Sequence, residues 1–361
     1  MNGNESKRVL MAMSGGVDSS VSALVLRDRG YEVEGVTLKL FDNEDACITD
    51  EKTCCSLKDA EEARQVCLDL GIPHFVYNFS RTFNADVIDR FCDGYLRGET
   101  PNPCIDCNRY VKFAALQQRR RELGFDYVAT GHYARRCFNE KTGRFELKRG
   151  LDLNKDQSYV LFHLTQDTLE HMLFPLGELS KPQVREIASN NGFINAQKAE
   201  SQDICFVPDG DYASFIEKRR STTFEPGDIV NRDGKVLGRH NGLIHYTIGQ
   251  RKGIGVAAPE PLYVFAKDMK RNQLVVDTNE RATCTAIEVV DVNFIARESL
   301  PSPESFLVKT HYRQQPQPAV VEQTEADAIR ITFDSPQRAC APGQAAVVYA
   351  NDTVVCGGTI L

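Results

Sequence analysis

Residues 7–20 read Lys-Arg-Val-Leu-Met-Ala-Met-Ser-Gly-Gly-Val-Asp-Ser-Ser, and this stretch decides the fold. Lys7 to Met13 reads as a short apolar strand, and Ser14 to Ser20 as a turn. Val21, Leu24 and Val25 then recur at helical spacing until Gly30 supplies a stop. Glu32 to Leu38 reads as a second strand, so the unit is strand, glycine turn, helix, strand, a parallel crossover. The pattern returns in Lys58 to Leu70, where Ala60, Ala63, Val66, Cys67 and Leu70 share one helical face, Gly71 ends the run and His74 to Asn78 follows as a strand. A further strand at Tyr127 to Thr130 runs into Gly131-His132. Strands alternating with helices predict an α/β fold with a doubly wound parallel sheet and ligands at the carboxyl ends of its strands.

From about Pro208 helical periodicity becomes scarce and short β-rich runs between glycines and prolines take over. Gly227 to Arg232 and Lys235 to Arg239 flank Asp233-Gly234, a hairpin signal because both turn residues tolerate positive φ. Ile287 to Ile295, Ser305 to Tyr312, Ile329 to Phe333, and the pair Ala345 to Ala350 and Thr353 to Cys356 predict a small β-barrel or sandwich. The expected division is 1–208, 209–280 and 281–361, with a soft last boundary.

At 361 residues, 42% hydrophobic and 26% charged, the chain is long enough for several cores and is neither fibrous nor disordered. No run approaches the ~20 apolar residues of a membrane span, and the polar start lacks a secretory signal, so a cytoplasmic protein with no membrane partner is expected. Twelve cysteines spread along such a chain suggest thiol chemistry or metal ligation more than structural disulfides. A net charge of −7 excludes a general basic coat. Any nucleic acid must be held by local patches, for which Arg119-Arg120-Arg121, Lys218-Arg219-Arg220, Arg251-Lys252 and Arg313 are the candidates.

Where the first strand feeds the first helix, backbone amides and the positive helix end converge on an anion. Gly15 and Gly16 allow close approach, and Ser14, Ser19 and Ser20 can add hydroxyls. The spacing fits neither Gly-x-x-x-x-Gly-Lys-Ser/Thr nor Gly-x-Gly-x-x-Gly. With no lysine in the loop, pyrophosphate capture after attack on an α-phosphate is more natural than γ-phosphoryl transfer, and Asp18 could help hold Mg2+ on the leaving group. The bland alternative is a tight turn with an N-cap. Cys107, expected near the start of a helix over Arg109 to Leu123 and beside Arg109 and Lys112, has the setting of a stabilised thiolate. Cys104 and Cys107 could instead be half of a zinc site completed by Cys47, Cys54 or Cys55. Cys205, between Ile204 and Phe206, reads in isolation as core.

Ser-Gly-Gly-x-Asp-Ser-Ser after a strand resembles the PP-loop of the ATP pyrophosphatases, which activate carbonyl or carboxyl oxygens by adenylation. Six more motifs follow in order: Thr-Pro-Asn-Pro-x-x-x-Cys-Asn (100–108), Ala-Thr-Gly-His-Tyr (129–133), Lys-Asp-Gln-Ser-Tyr (155–159), Ile-Cys-Phe (204–206), Gly-Gln-Arg-Lys-Gly (249–253) and Tyr-Arg-Gln (312–314). Together, through nearly the whole chain, they resemble the tRNA-specific 2-thiouridylases. That resemblance implies a PP-loop domain, a small middle domain and a C-terminal β-barrel that helps grip tRNA. It implies that Ala12, Met13, Ser14, Gly15, Gly16, Val17, Asp18 and Ser19, with Leu38 and Gly131, line an ATP site, and that Asn102, Pro103 and Cys104 face the target base. Lys155, Asp156, Gln157, His311 and Tyr312 would touch tRNA. Cys205 would carry a persulfide, with Cys107 as its partner nucleophile.

The implied partners are a tRNA with a modifiable wobble uridine, a sulfur donor (a cysteine desulfurase or relay protein) and a disulfide reductant; the implied cofactors are ATP and Mg2+. The chain departs from the family at Cys104, where Asp is usual, and at His311, where Arg is frequent. The first departure creates Cys-x-x-Cys and opens a second route, a 4Fe-4S cluster on Cys104, Cys107 and Cys205 that delivers sulfide. Another PP-loop adenylating ligase, or a non-catalytic RNA- or metal-binding module, are the remaining alternatives.

Overall fold

The computed structural model describes residues 6–41, 57–199 and 204–361. They form two compact units, one drawn from 1–88, 104–210 and 352–354, the other from 89–103, 211–351 and 355–361.

In the first unit, β1 (Arg8–Ala12) leads through the glycine turn into α1 (Val17–Asp28), followed by β2 (Glu32–Lys39), α2 (Leu57–Leu70) and β3 (His74–Asn78). A helical stretch over residues 103–123 ends in α3 (Ala114–Leu123) and leads to β4 (Tyr127–Ala129). An antiparallel hairpin of β5 (Ala134–Asn139) and β6 (Arg144–Arg149) comes next, then β7 (Met172–Leu173) and α4 (Lys181–Asn190). The sheet order is β3-β2-β1-β4-β7 and every pairing is parallel. All its carboxyl ends therefore share one edge. The central strand is apolar because both its faces are covered: Val9, Leu10 and Met11 are fully buried. α1 packs against α2 and α4 through a core that includes Val21, Leu24, Val66 and Val184. Gly35 is required where α2 crosses β2, since a Cβ there would lie 2.6 Å from the Cys67 sulfur. α4 starts with a reciprocal cap in which Gln183 accepts from the Ser180 N–H at 2.8 Å, with Pro182 in the first turn.

The 103–123 helix differs from the sequence expectation. It starts at Pro103 with one α-turn (Pro103–Asp106), widens into a π-turn (Cys107–Phe113) and only then becomes α3. Cys107 is therefore inside the helix and buried, rather than at an open N-terminus. Such wide turns are uncommon and cluster at functional sites.

In the second unit, α5 (Tyr212–Arg220) occupies sequence expected to be β-rich; Asp211 caps it, accepting from the Ser214 N–H at 3.0 Å. β8 (Gly227–Asn231), β9 (Val236–His240), β10 (Leu262–Asp268) and β11 (Gln273–Thr278) form a sheet of order β10-β11-β8-β9, with the expected hairpin at Asp233-Gly234. β12 (Cys284–Phe294), β13 (Glu304–Lys309), β14 (Gln317–Glu325), β15 (Ala328–Gln337), β16 (Ala345–Ala350) and β17 (Thr353–Ile360) run in the order β12-β15-β14-β13-β16-β17, and β12 pairs with β17 to close a six-stranded barrel. Among the described residues, no helix is long and apolar enough to cross a membrane.

Candidate nucleotide and thiol site

Ala12 ends β1, and the chain turns at once: the Met13 N–H donates to the Val36 carbonyl at 2.8 Å, and Thr37 Oγ1 donates to the Met13 carbonyl at 2.9 Å. Gly15 takes φ +71°, and a Cβ there would collide with the backbone of Asp59. Ser19 Oγ accepts from the Ser14 N–H at 3.2 Å and donates to the Gly16 carbonyl at 2.9 Å; Ser20 Oγ donates to the same carbonyl at 3.1 Å. The buried serines thus close the turn, and Ser14 is left exposed at its rim. Leu38 lies near the carboxyl end of β2 on the same edge.

Two residues the sequence reading passed over brace this turn from 175 residues or more away. Asn195, only 2% exposed, donates to the Gly15 carbonyl at 3.0 Å and to Ser20 Oγ at 2.9 Å. Lys198 donates to the Gly15 carbonyl at 3.3 Å and is ion-paired with Asp59 and Glu62. No spacing rule reaches across such separations. Asn195→Ala should cost about 2 kcal/mol of stability, since two hydrogen bonds to the buried turn are lost, at the Gly15 carbonyl and at Ser20 Oγ, and only the longer Lys198 contact remains on the carbonyl; urea unfolding of the variant measures this.

Asp18, in the first turn of α1, receives Lys181 Nζ at 2.8 Å on each carboxylate oxygen and the Tyr133 hydroxyl at 2.7 Å on Oδ1. Gly131, just past β4, backs directly onto this turn: a Cβ there would stand 3.0 Å from the Asp18 carbonyl carbon and the Ser19 nitrogen.

Aromatic side chains cluster beside this turn's edge of the sheet. Phe206, next to Cys205, meets Phe83 edge-on at 5.8 Å between centroids, and Phe83 in turn meets Phe41, just beyond β2, at 5.6 Å. The helical turn Ser80–Phe83 packs on the π-turn that begins at Cys107. At the other end of the π-turn, Phe113 lies 5.8 Å from the His132 ring and 5.9 Å from His163. The segment carrying Cys205 and the turn carrying Cys107 therefore border one aromatic block at the carboxyl edge. Cys104 is exposed, Cys107 buried and Cys205 half-buried.

Burial, with Lys112 and His163 nearby, pushes His132 down to about 3; burial, with Arg109 nearby, does the same to His163. Among the described residues, neither ring nitrogen of His163 has a hydrogen-bond partner. The unfolded chain protonates these groups below 6.5 while the folded chain resists until about 3, so stability should fall as pH drops through that interval. His163→Phe should flatten that decline and leave stability at pH 7 equal or about 1 kcal/mol higher. Urea midpoints at pH 5 and 7 check both.

Among the implied tRNA contacts, Asp156 is buried, and its carboxylate accepts from Arg149 Nε, the Gly150 and Ser158 N–H groups and Ser158 Oγ at 3.1–3.2 Å, so it holds its own loop. Gln157 exchanges hydrogen bonds with the Tyr133 backbone through its side-chain oxygen and its N–H. Lys155 opens the same loop. In the second unit, the strand expected to reach Tyr312 stops at Lys309 because Gln314 Oε1 accepts from the Thr310 N–H and hydroxyl, turning out the loop that carries His311 and Tyr312; Tyr312 is 38% exposed. Burial, aided by Lys309, lowers His311 below its ordinary value. The segment leading to Asn102 and Pro103 is held on the barrel: the Thr100 N–H donates to the Pro342 carbonyl at 2.8 Å, Gln344 donates to the Thr100 carbonyl at 2.6 Å, and a Cβ on Gly343 would stand 2.9 Å from that of Glu99.

Two of the basic runs are engaged within the chain: Arg120 is buried on Gln117 and the Phe125 carbonyl, Arg119 and Arg121 pair with Glu122 and Asp167, and Arg219 and Arg220 pair with Asp89. Among the described residues no three His, Cys, Asp or Glu side chains come together to hold a metal ion. Cys47, Cys54 and Cys55, the possible zinc partners, lie outside the described residues.

Comparison with known proteins gives matches along the chain. Residues 7–209 match a tRNA methyl transferase HUP domain, 213–278 a tRNA methyl transferase PRC-barrel domain and 284–360 an aminomethyltransferase beta-barrel domain. A tRNA-specific 2-thiouridylase of Carboxydothermus hydrogenoformans is 47% identical over 355 residues, covering 98% of this chain and 97% of that one. The one from Moorella thermoacetica is 48% identical over 351 residues, covering 97% and 98%. A 4-thiouridine synthetase in complex with RNA and bound ATP overlaps 59% of this chain and 50% of its own, at 17% identity and a TM-score of 0.38. From end to end, the chain belongs to the tRNA-specific 2-thiouridylase family.

Proposed function

We propose that this protein is a cytoplasmic enzyme that replaces the C2 oxygen of a tRNA wobble uridine by sulfur, using ATP for activation and a cysteine persulfide as the sulfur carrier. The C2 oxygen is a poor leaving group. Its attack on the α-phosphate of ATP forms an adenylated base and releases pyrophosphate, for which the amides of residues 14–19 at the start of α1 are suited. The terminal sulfur of a persulfide on Cys205 then attacks C2, and the C2–O bond breaks with departure of AMP. The Cys107 thiolate attacks the Cys205 sulfur, the sulfur–sulfur bond breaks, and its electron pair stays with the sulfur now on uridine. A Cys107–Cys205 disulfide remains, which an external dithiol reopens. A sulfur donor, a cysteine desulfurase or a relay protein, recharges Cys205. When bound, Mg2+ would offset the charge of the pyrophosphate, and the part-exposed Asp18 carboxylate is the hard oxygen donor of the loop suited to it. Asn102, Pro103 and Cys104 would meet a base splayed from its stack, while Lys155, Gln157 and the His311-Tyr312 loop would meet tRNA.

The observation that most supports this reading is the single carboxyl edge shared by the nucleotide turn, the Cys107 π-turn and the aromatic block beside Cys205. Mass spectrometry of wobble uridines in cells lacking the protein tests it. Loss of the 2-thio group, restored by the wild-type chain but not by Cys205→Ser, is expected, and full thiolation in the deletion strain would refute it.

A further inference from the structure

The nucleotide turn contains no lysine, and its helix begins with a carboxylate, an arrangement that on its own repels a triphosphate. α4 compensates. Lys181 is its first residue, and its side chain is 8% exposed. A lysine this buried is stable only beside charge, and it sits 2.8 Å from both oxygens of Asp18. Its backbone is fixed as well: the Lys181 N–H donates to Asp152 Oδ2 at 2.9 Å, and the preceding Ser180 forms the helix cap. The Asp18 carboxylate has a second donor in the Tyr133 hydroxyl at 2.7 Å, so it keeps a partner when the ammonium turns away. The pair thus holds a cation beside an amide-lined turn, on a four-carbon stem whose rotamers allow the ammonium to reorient without moving the backbone.

We propose that Lys181 is the phosphate-facing cation of the nucleotide site: it neutralises Asp18 and, when ATP binds, donates to a phosphate oxygen of the nucleotide. This rests on the reading of the turn as an ATP site, and it assigns to α4 the lysine that other phosphate loops carry within themselves.

Binding of the α,β-methylene analogue of ATP, measured by calorimetry in magnesium-free buffer without tRNA, tests the assignment. Lys181→Met should weaken binding about 10- to 100-fold, the worth of one charge-assisted hydrogen bond, and Lys181→Arg should recover most of it. Asp18→Asn should bind at least as tightly as wild type, because the lysine is released to the ligand. The decisive variant is Lys181→Met/Asp18→Asn, which leaves no unpaired carboxylate and should unfold at the temperature of Asp18→Asn. If it binds as weakly as Lys181→Met, the lysine acts on phosphate. If it binds like wild type, Lys181 serves only Asp18 and the proposal fails, as it does if wild type binds no analogue. A protein that binds the analogue normally yet releases no pyrophosphate from ATP with unthiolated tRNA would refute the thiolation reading while leaving the role of Lys181 standing.

Discussion

Cys107→Ser and Cys205→Ser should both abolish thiolation, lowering 2-thiouridine by about three orders of magnitude or more, yet they should stop at different points. Without Cys205 no sulfur reaches the base, pyrophosphate still forms from ATP and bound tRNA, and no covalent complex accumulates. Without Cys107 the sulfur of Cys205 remains joined to the uridine through an intact sulfur–sulfur bond, and a protein–tRNA adduct builds up that a small thiol cleaves. Gel electrophoresis of the two variants with tRNA, with and without dithiothreitol, separates these outcomes. An adduct in both, or unchanged thiolation in either, is incompatible with the assigned roles. The setting of Cys107 inside a π-turn gives the difference a structural basis: Asn108, its neighbour, donates to the Val160 carbonyl at 3.1 Å and ties the wide turn to the loop of Asp156 and Gln157.

The second large effect is expected at Gly15. Its φ of +71° is strained for any other residue, and a Cβ would meet the backbone of Asp59 on α2, which cannot rotate away as a side chain would. Gly15→Ala should lose about 2–4 kcal/mol of stability and most of its ATP affinity. Gly71 supplies the control. Its φ is +68°, and no atom of the described residues lies within 4 Å of a Cβ placed there, so Gly71→Ala carries the backbone strain alone, about 1 kcal/mol. Equal losses at the two positions, by urea unfolding, would show that the approach of α2 to the turn contributes nothing.

The parts of this structure legible in the amino-acid sequence are those whose signal is local. β1, the glycine turn, α1 and β2 sit where apolar runs and glycine stops put them, and the Asp233-Gly234 hairpin forms as its turn chemistry requires. The π-turn was not legible, because one wide turn shifts helical periodicity by less than a residue. The β5–β6 hairpin carries only a weak local mark, the Lys-Thr-Gly of its turn, where Gly143 takes φ +65°. The charged end of α5, Lys218 to Arg220, reads as a surface patch and masks the helix; Arg219 and Arg220 instead bond Asp89 and Asp93. Asn195, Lys198 and Lys181 carry no local mark at all: their partners in the glycine turn are 163 to 183 residues distant.

The fastening of residues 99–101 onto the loop 341–344 bears on how freely this architecture can be recombined. The stretch that presents Asn102 and Pro103 takes its bearings from the last barrel strands, through Pro342, Gly343 and Gln344. The barrel is thus no detachable handle. A shortened protein ending before residue 341, or a hybrid given a foreign barrel, would lose the footing of that stretch even with every residue of the nucleotide turn intact, so the two ends of the sequence are bound to change together.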